Sequence, residues 1–194
     1  MSTAVHSKRV LIAEDETIIR LDLRSLLEDN GFSVCGEARD GVEAVEQAMV
    51  LIPDLILMDI KMPRLDGIEA ARRILDHRAV PIVMLTAFGH EELVTRAVET
   101  GVFGYLAKPF REQDVIPALV AAQARFDEFA EVKLQAASLL EALEARKAIE
   151  RAKGILMAKE GLTEDQAFAR LRRASQRSGR PMKVIADALA ATLG

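Results

Sequence analysis

The feature that most constrains this 194-residue chain is an alternation of two hydrophobic periods across its first 110 residues. Short β-branched apolar runs fall at Arg9–Ala13, Ser33–Cys35, Asp54–Met58, Pro81–Leu85 and Val102–Leu106. Between them, stretches with helical spacing run from Ile18 to Leu27, Val42 to Met49, Ile68 to Leu75 and Leu93 to Val98. Five strands alternating with helices specify an α/β domain with a parallel sheet. The first, third and fourth runs are apolar at consecutive positions, as in strands covered on both faces. Asp40 with Glu43, and Asp66 with Glu69, have the spacing of capping boxes. Gly31 and Gly101 stand where helices should stop.

After Pro109 the character changes. From Glu112 to about Arg151 there is no Gly and only one Pro, Pro117. Apolar residues recur at Val115, Leu119, Ala122, Phe126 and Phe129, then at Val132, Ala136, Leu139 and Leu143. This is a heptad-like seam with one phase slip, on a helix on the order of 55 Å long at 1.5 Å per residue. Either self-association or the chain's own core would cover it. Beyond it, Gly161 ends a helix, Thr163 with Gln166 opens another, Gly179 ends that one, and Pro181 starts the last. The apolar faces are Ala167, Phe168, Leu171 and Ala174, then Val184, Ile185, Ala188, Leu189 and Leu193, which predicts a small three-helix bundle. The expected division is residues 8–120, a helical linker over 121–141, and 142–194.

Charge divides the same way. The net charge of −4 comprises −7 over residues 1–120 and +3 over the rest, with +7 concentrated in 146–183. A basic segment is the electrostatic footprint of a polyanion binder. No apolar stretch is long enough to span a membrane. The first nine residues lack a signal core, and the single Cys35 excludes a disulfide framework. A reducing cytoplasm is the expected compartment. The scattered His6, His77 and His90 have no ligand spacing, and Met58, Met62, Met84, Met157 and Met182 read as packing residues.

Chemistry gathers at the carboxyl ends of the strands. Glu14 and Asp15 end the first and Asp59 the third, so adjacent first and third strands would bring three carboxylates together. Such a cluster requires a cation, and hard oxygen donors suit Mg²⁺. Thr86 ends the fourth strand and Lys108 the fifth. Carboxylates, a metal, a hydroxyl and an ammonium suit a transferred phosphoryl group, with one carboxylate as nucleophile. Neither common nucleotide-binding glycine loop is present.

The pieces "VLIAEDE", "DLILMDIKMPRLDGIEA", "PIVMLTAF" and "GYLAKPF" make residues 9–120 resemble the receiver domain of two-component response regulators. The resemblance implies a flavodoxin-like (CheY-like) fold with strand order 2-1-3-4-5. It implies Asp59 as phospho-acceptor and Glu14, Asp15, Asp59 and the Lys61 carbonyl as the Mg²⁺ site. It also implies Thr86 as switch hydroxyl, Tyr105 as the reorienting aromatic, Lys108 as the phosphoryl-binding lysine, and a cis Lys108-Pro109 peptide. The tail, with "ERAKGILM", "LRRASQRSGR" and "VIADAL", resembles the ANTAR domain of bacterial antitermination regulators. Charge and helices alone leave RNA and DNA open; this second resemblance implies RNA. The candidate contacts are Arg146, Arg151, Lys153, Gly154, Arg173, Arg177 and Arg180. Phe168 is assigned to the apolar face, leaving arginines to stack on bases.

The expectation is a phosphorylation-controlled antiterminator that receives phosphate from a sensor histidine kinase, binds hairpins in nascent RNA and dimerises on activation. It would be a phospho-acceptor and no enzyme, beyond self-catalysed phosphoryl transfer and autodephosphorylation. The rivals are a DNA-binding response regulator and an aspartyl-nucleophile phosphatase. A phosphatase of the haloacid dehalogenase type would want an Asp where Lys61 stands.

Overall fold

Five parallel strands form one sheet in the order β2-β1-β3-β4-β5. They are β1 (Arg9–Ala13), β2 (Ser33–Ala38), β3 (Leu55–Asp59), β4 (Ile82–Ala87) and β5 (Gly104–Lys108). A computed structural model describes residues 7–87 and 100–193 of the chain. Between the strands lie α1 (Thr17–Asp29), α2 (Gly41–Leu51) and α3 (Gly67–His77). The expected helix from Leu93 to Val98, with His90, lies outside the described residues, as does His6.

The apolar runs become the central strands because both of their faces are covered. Leu11, Ile56, Met58, Ile82 and Met84 belong to one buried layer, with Ala44, Ala48, Ile68, Ala71 and Ile74 from α2 and α3. Val10, Ile12, Leu55, Leu57, Val83 and Leu85 belong to the other, with Leu23 and Leu27 of α1 and Val115, Leu119 and Ala122. At roughly 25 cal/mol per Å² of apolar surface, these layers supply the main driving force for the fold.

The expected capping boxes form only in part. The Asp40 carboxylate accepts from Val42 N at 2.9 Å and Glu43 N at 3.0 Å, but Glu43 reaches back to Arg39 N. Asp66 accepts from Glu69 N, whereas Glu69 pairs with Arg72 and Arg73.

The long helix α4 runs from Glu112 to Glu160, past the expected end near Arg151. The first helix of the C-terminal bundle is therefore the end of α4. Nothing interrupts it before Gly161, whose φ of +66° suits a helix stop. Two further helices follow, α5 (Glu164–Ser178) and α6 (Met182–Leu193). The chain divides into two compact units after Phe129, within α4. In the second unit Ala148, Ala152, Leu156, Ala167, Leu171 and Ala186 form the core. On α5 the Thr163–Gln166 capping box forms in both directions. On α6 the buried face is carried by Met182, Ile185, Ala186 and Leu189, while Val184 and Ala188 turn outward.

Along α4 the assignment of the apolar residues changes. The amino-terminal part of the apolar seam is covered by its own domain: Val115, Leu119 and Ala122 are fully buried, and Phe103 meets Phe126 edge-on at 5.2 Å. Phe129 still meets Phe103 edge-on at 5.8 Å, and beyond it the seam is open, with Val132, Leu139 and Leu143 about half exposed or more. Met157 is also exposed rather than packed.

Candidate functional site

The site is assembled where the strands end. Glu14 follows β1 and extends its ladder by one residue, donating its amide to Ala38 O at 3.0 Å. Its side chain is thereby drawn inside and is fully buried, while Asp15 turns to solvent. Asp59 is the last residue of β3; its Oδ1 accepts from Ile60 N at 2.8 Å. Because β1 and β3 are neighbours, carboxylate oxygens of Glu14, Asp15 and Asp59 lie within 4.8 Å of one another. Lys108, the last residue of β5, extends its ammonium between two of them, 2.7 Å from Glu14 and 3.0 Å from Asp59. Thr86 is buried near the end of β4, Lys61 is exposed two residues past Asp59, and the Lys108-Pro109 peptide is cis. Tyr105 packs on one core layer, with its buried hydroxyl unpartnered among the described residues.

Burial pushes the Glu14 carboxyl above its ordinary range, and the neighbouring Asp59 charge adds to this; Lys108 opposes both. Asp59 is raised for the same first reason, again against Lys108. Burial works to lower Lys108, but its two carboxylate partners outweigh it and hold the ammonium charged. Among the ion pairs of the described residues, Lys108 is the ammonium set against this group of three carboxylates. Two of the three are almost wholly out of water, where like charges repel strongly. A hard divalent cation balances such a set through oxygen donors alone.

Three supporting residues escaped the sequence reading. Arg20 is 5% exposed on the inward face of α1, between the site and Leu23. Its guanidinium donates to Glu14 O at 2.7 Å, Asp15 O at 3.5 Å and Glu37 Oε2 at 3.2 Å. It thus holds the backbone that presents both acids. The available signal was an arginine at a core-facing helical position just after an acidic pair. Gly67 sits against Asp59: a Cβ built there would lie 1.9 Å from the Asp59 carbonyl oxygen. Arg64, with φ +62°, pairs with Asp40 and joins the β3–α3 loop to the α2 N-terminus.

In the second unit Arg146, Arg151, Arg173, Arg177 and Arg180 are exposed and form no ion pair among the described residues. Arg170, Arg173 and Arg177 follow one another at helical spacing along one flank of α5, beside the buried Ala167 and Leu171; Arg170 pairs with Glu160. Lys153 is placed differently from the sequence expectation. It is 7% exposed and its ammonium is taken up by Glu150 at 3.0 Å and Glu164 at 2.5 Å, tying α5 to α4. Those partners raise its pKa, Glu164 first. Gly154 lies within α4 with open space around it. Phe168 is 42% exposed and outside the bundle core.

Comparison with known proteins agrees with this geometry. A family model for the response regulator receiver domain matches residues 10–120, and one for the ANTAR domain matches 137–189. The chain belongs to the response regulators that join a receiver to an ANTAR domain. Among its relatives, the transcriptional regulatory protein PdtaR of Mycobacterium tuberculosis is 49% identical over 187 residues, 96% of this chain and 91% of that protein. The chemotaxis protein CheY of Halobacterium salinarum is 43% identical over 58% of this chain and 94% of its own length. Among solved structures, the signal receiver domain of a modulated diguanylate cyclase from Desulfovibrio desulfuricans is similar with a TM-score of 0.58 and 35% identity. That match covers 62% of this chain and 97% of the other. Among the described residues no helix is long and apolar enough to cross a membrane.

Proposed function

We propose that the chain is a phosphorylation-controlled antitermination regulator. A sensor histidine kinase supplies the phosphoryl group and hairpins in nascent RNA are the target. The observation that carries this reading is one chain holding both an acid–lysine cluster at receiver strand ends and an ANTAR match on a basic helical unit. In the transfer, an Asp59 carboxylate oxygen attacks phosphorus, the bond to the donor imidazole nitrogen breaks, and that nitrogen keeps the electron pair. Lys108 then exchanges its Asp59 contact for a phosphoryl oxygen, Thr86 offers its hydroxyl to another, and Tyr105 follows the change at Thr86. Glu14, Asp15, Asp59 and the Lys61 carbonyl would hold Mg²⁺, which supplies charge neutralisation at the phosphoryl oxygens. The residues act on their own aspartyl group, so the protein is a phospho-acceptor and not a turnover enzyme.

The uncovered seam supports a dimer formed on activation. Phe129, Val132, Leu139, Leu140 and Leu143 are each about half exposed or more along α4, and a second copy of the same helix would bury them. Two linked basic units would gain affinity for paired hairpins through effective concentration. The arginines of α4 and α5 and the loop after Gly179 supply phosphate contacts, and the cytoplasm is the compartment where transcripts and kinase meet.

The test is phosphate incorporation from acetyl phosphate, read by intact mass, for the wild type and Asp59→Asn, followed by sequencing of nucleic acid that co-purifies with the phosphorylated chain. One added phosphate on the wild type only, and RNA rather than DNA in the bound fraction, is the expected result. Equal uptake by Asp59→Asn refutes the receiver assignment, and duplex DNA in the bound fraction refutes the target.

A further inference from the structure

RNA loops are recognised by stacking their bases on aromatic or guanidinium planes, while phosphate contacts carry no sequence information. Phe168 is the only aromatic residue from 130 to 194. In a bundle held by Ala, Leu and Ile contacts, a phenylalanine would be expected to supply core area. Instead the core closes without it: Ala167 and Leu171 face inward and Phe168 stands 42% exposed beside them. A single exposed apolar side chain is ordinary on a protein surface. Three further observations set this one apart. Arg172 lies one turn further along the same side of α5, is exposed, and has no ion pair among the described residues. Gln176 follows one more turn on and is also exposed. The side of α5 carrying Arg173 and Arg177 adjoins this row, in a segment with a balance of +7.

The geometry points to Phe168, with Arg172 beside it, as the platform on which an unpaired base of an RNA loop stacks. The inference rests on the RNA-binding reading above and adds to it the residue that reads the loop. The ring supplies a flat apolar face; the guanidinium stacks on the same base or holds its phosphate; Gln176 is placed to meet a base edge. The Arg173 and Arg177 side meets phosphates on the stem. The unit thus separates two tasks on one helix: affinity from the arginine face, loop selectivity from the Phe168 row.

The test uses the full chain, phosphorylated with acetyl phosphate, and a pool of RNA hairpins with randomised loops. The wild type, Phe168→Leu, Phe168→Trp and Arg173→Ala are compared on hairpins enriched by the wild type and on blunt RNA duplexes of the same stem. One loop position at a time carries 2-aminopurine. Stacking predicts quenching at one loop position with the wild type and Phe168→Trp, absent with Phe168→Leu. It also predicts an affinity loss of about tenfold or more for Phe168→Leu on hairpins and none on duplex. Arg173→Ala should weaken both. Unchanged melting of Phe168→Leu is expected because the side chain lies outside the core; if melting does fall, the Trp variant, which keeps a π face, still separates stacking from packing. Three results overturn the proposal: hairpin affinity and quenching equal in Phe168→Leu and wild type, equal losses on hairpin and duplex, or an altered oligomeric mass with RNA binding intact. If the wild type enriches no hairpin at all, the RNA reading fails with it; wild-type enrichment that ignores Phe168 removes the platform alone.

Discussion

Gly67→Ala should uncouple the fold of the receiver from its chemistry. The β3–α3 loop leaves Asp59 and turns back so that Gly67 N donates to Ile60 O at 2.8 Å. This return presses Gly67 onto the strand end. A Cβ at residue 67 would lie 1.9 Å from Asp59 O, 2.9 Å from Asp59 C and 3.1 Å from Ile60 Cα. All three neighbours are backbone, so no side chain can swing aside. The nearest contact must open by about 1.1 Å to reach the 3.0 Å that real contacts respect. Either the start of α3 moves out or Asp59 moves in. Asp59 shares the displacement, against its pairing with Leu85 and the Ile60 amide donating to Leu85 O at 3.1 Å, so the reacting carboxylate shifts with the strand end. Overpacking of this kind costs about 1–3 kcal/mol, or on the order of 4 °C in Tm for each kcal/mol. A displacement near 1 Å at a reacting atom can cost roughly 10²-fold in rate. The assay is the initial rate of phosphate uptake from acetyl phosphate by intact mass, beside thermal unfolding of the same sample. A folded variant with a rate about a hundredfold down is the expected result. Uptake within threefold of wild type at an unchanged Tm would refute the steric argument.

Three further outcomes follow from the same structure. Burial raises Glu14 and Asp59, so the folded state holds more protons than the unfolded one above the ordinary carboxylate values of 4.5 and 3.8. Without divalent ion, stability should therefore fall as pH rises from there through the raised values. Mg²⁺ at a hundred times its Kd should restore about 2.7 kcal/mol, more at pH 7.5 than at pH 5, and identical melts with and without the ion at pH 7.5 would contradict this. Gly154→Ala, in open space within α4, should raise stability by about 1 kcal/mol in thermal unfolding; an RNA affinity that falls at the same time would give the glycine a role in close backbone approach. Leu139→Asp with Leu143→Asp should keep phosphate uptake and leave the phosphorylated chain monomeric in sedimentation, since Leu139 is mostly exposed, Leu143 about half, and neither belongs to a core; normal dimerisation would place the interface elsewhere.

Legibility in the sequence followed burial. The first strand was readable to the residue, since Val10 to Ala13 are all apolar and all fully buried. The second reached Ala38 although the sequence suggested a stop at Cys35. Gly36 and Glu37 disfavour a strand by composition, yet Gly36 pairs with Leu11 in parallel register, and a Cβ there would meet Gln47 and Leu51 of α2. Tertiary fit overrode propensity. The site acids and Lys108 were legible because a strand end fixes where its last side chain points. Arg20 was not, because a charged residue at a helical core position normally counts against burial. The seam on α4 was legible as a period but not as a contact. The same 3–4 spacing is covered by the receiver core at Leu119 and open to solvent at Leu139.

Lys108 and Lys153 show how far composition falls short of function. Each is a mostly buried lysine facing acids, one at a strand end and one inside a helix. What differs is the charge count around the ammonium. Lys153 meets Glu150 and Glu164, both of which are exposed and solvated, so the group is satisfied where it stands and the contact fastens α5 to α4. Lys108 meets Glu14 and Asp59, both buried, with Asp15 close behind, so this ammonium is shared among acids that are themselves out of water. A satisfied ion pair has no reason to change partners. An undersupplied acidic cluster gains free energy from any added cation, and a lysine shared between two acids can move to a new anion without leaving either acid stranded once that cation is present. The receiver keeps its positive charge where it can be redistributed, whereas the bundle spends Lys153 on its own structure and leaves Arg146, Arg151, Arg173 and Arg177 exposed without an ion pair among the described residues.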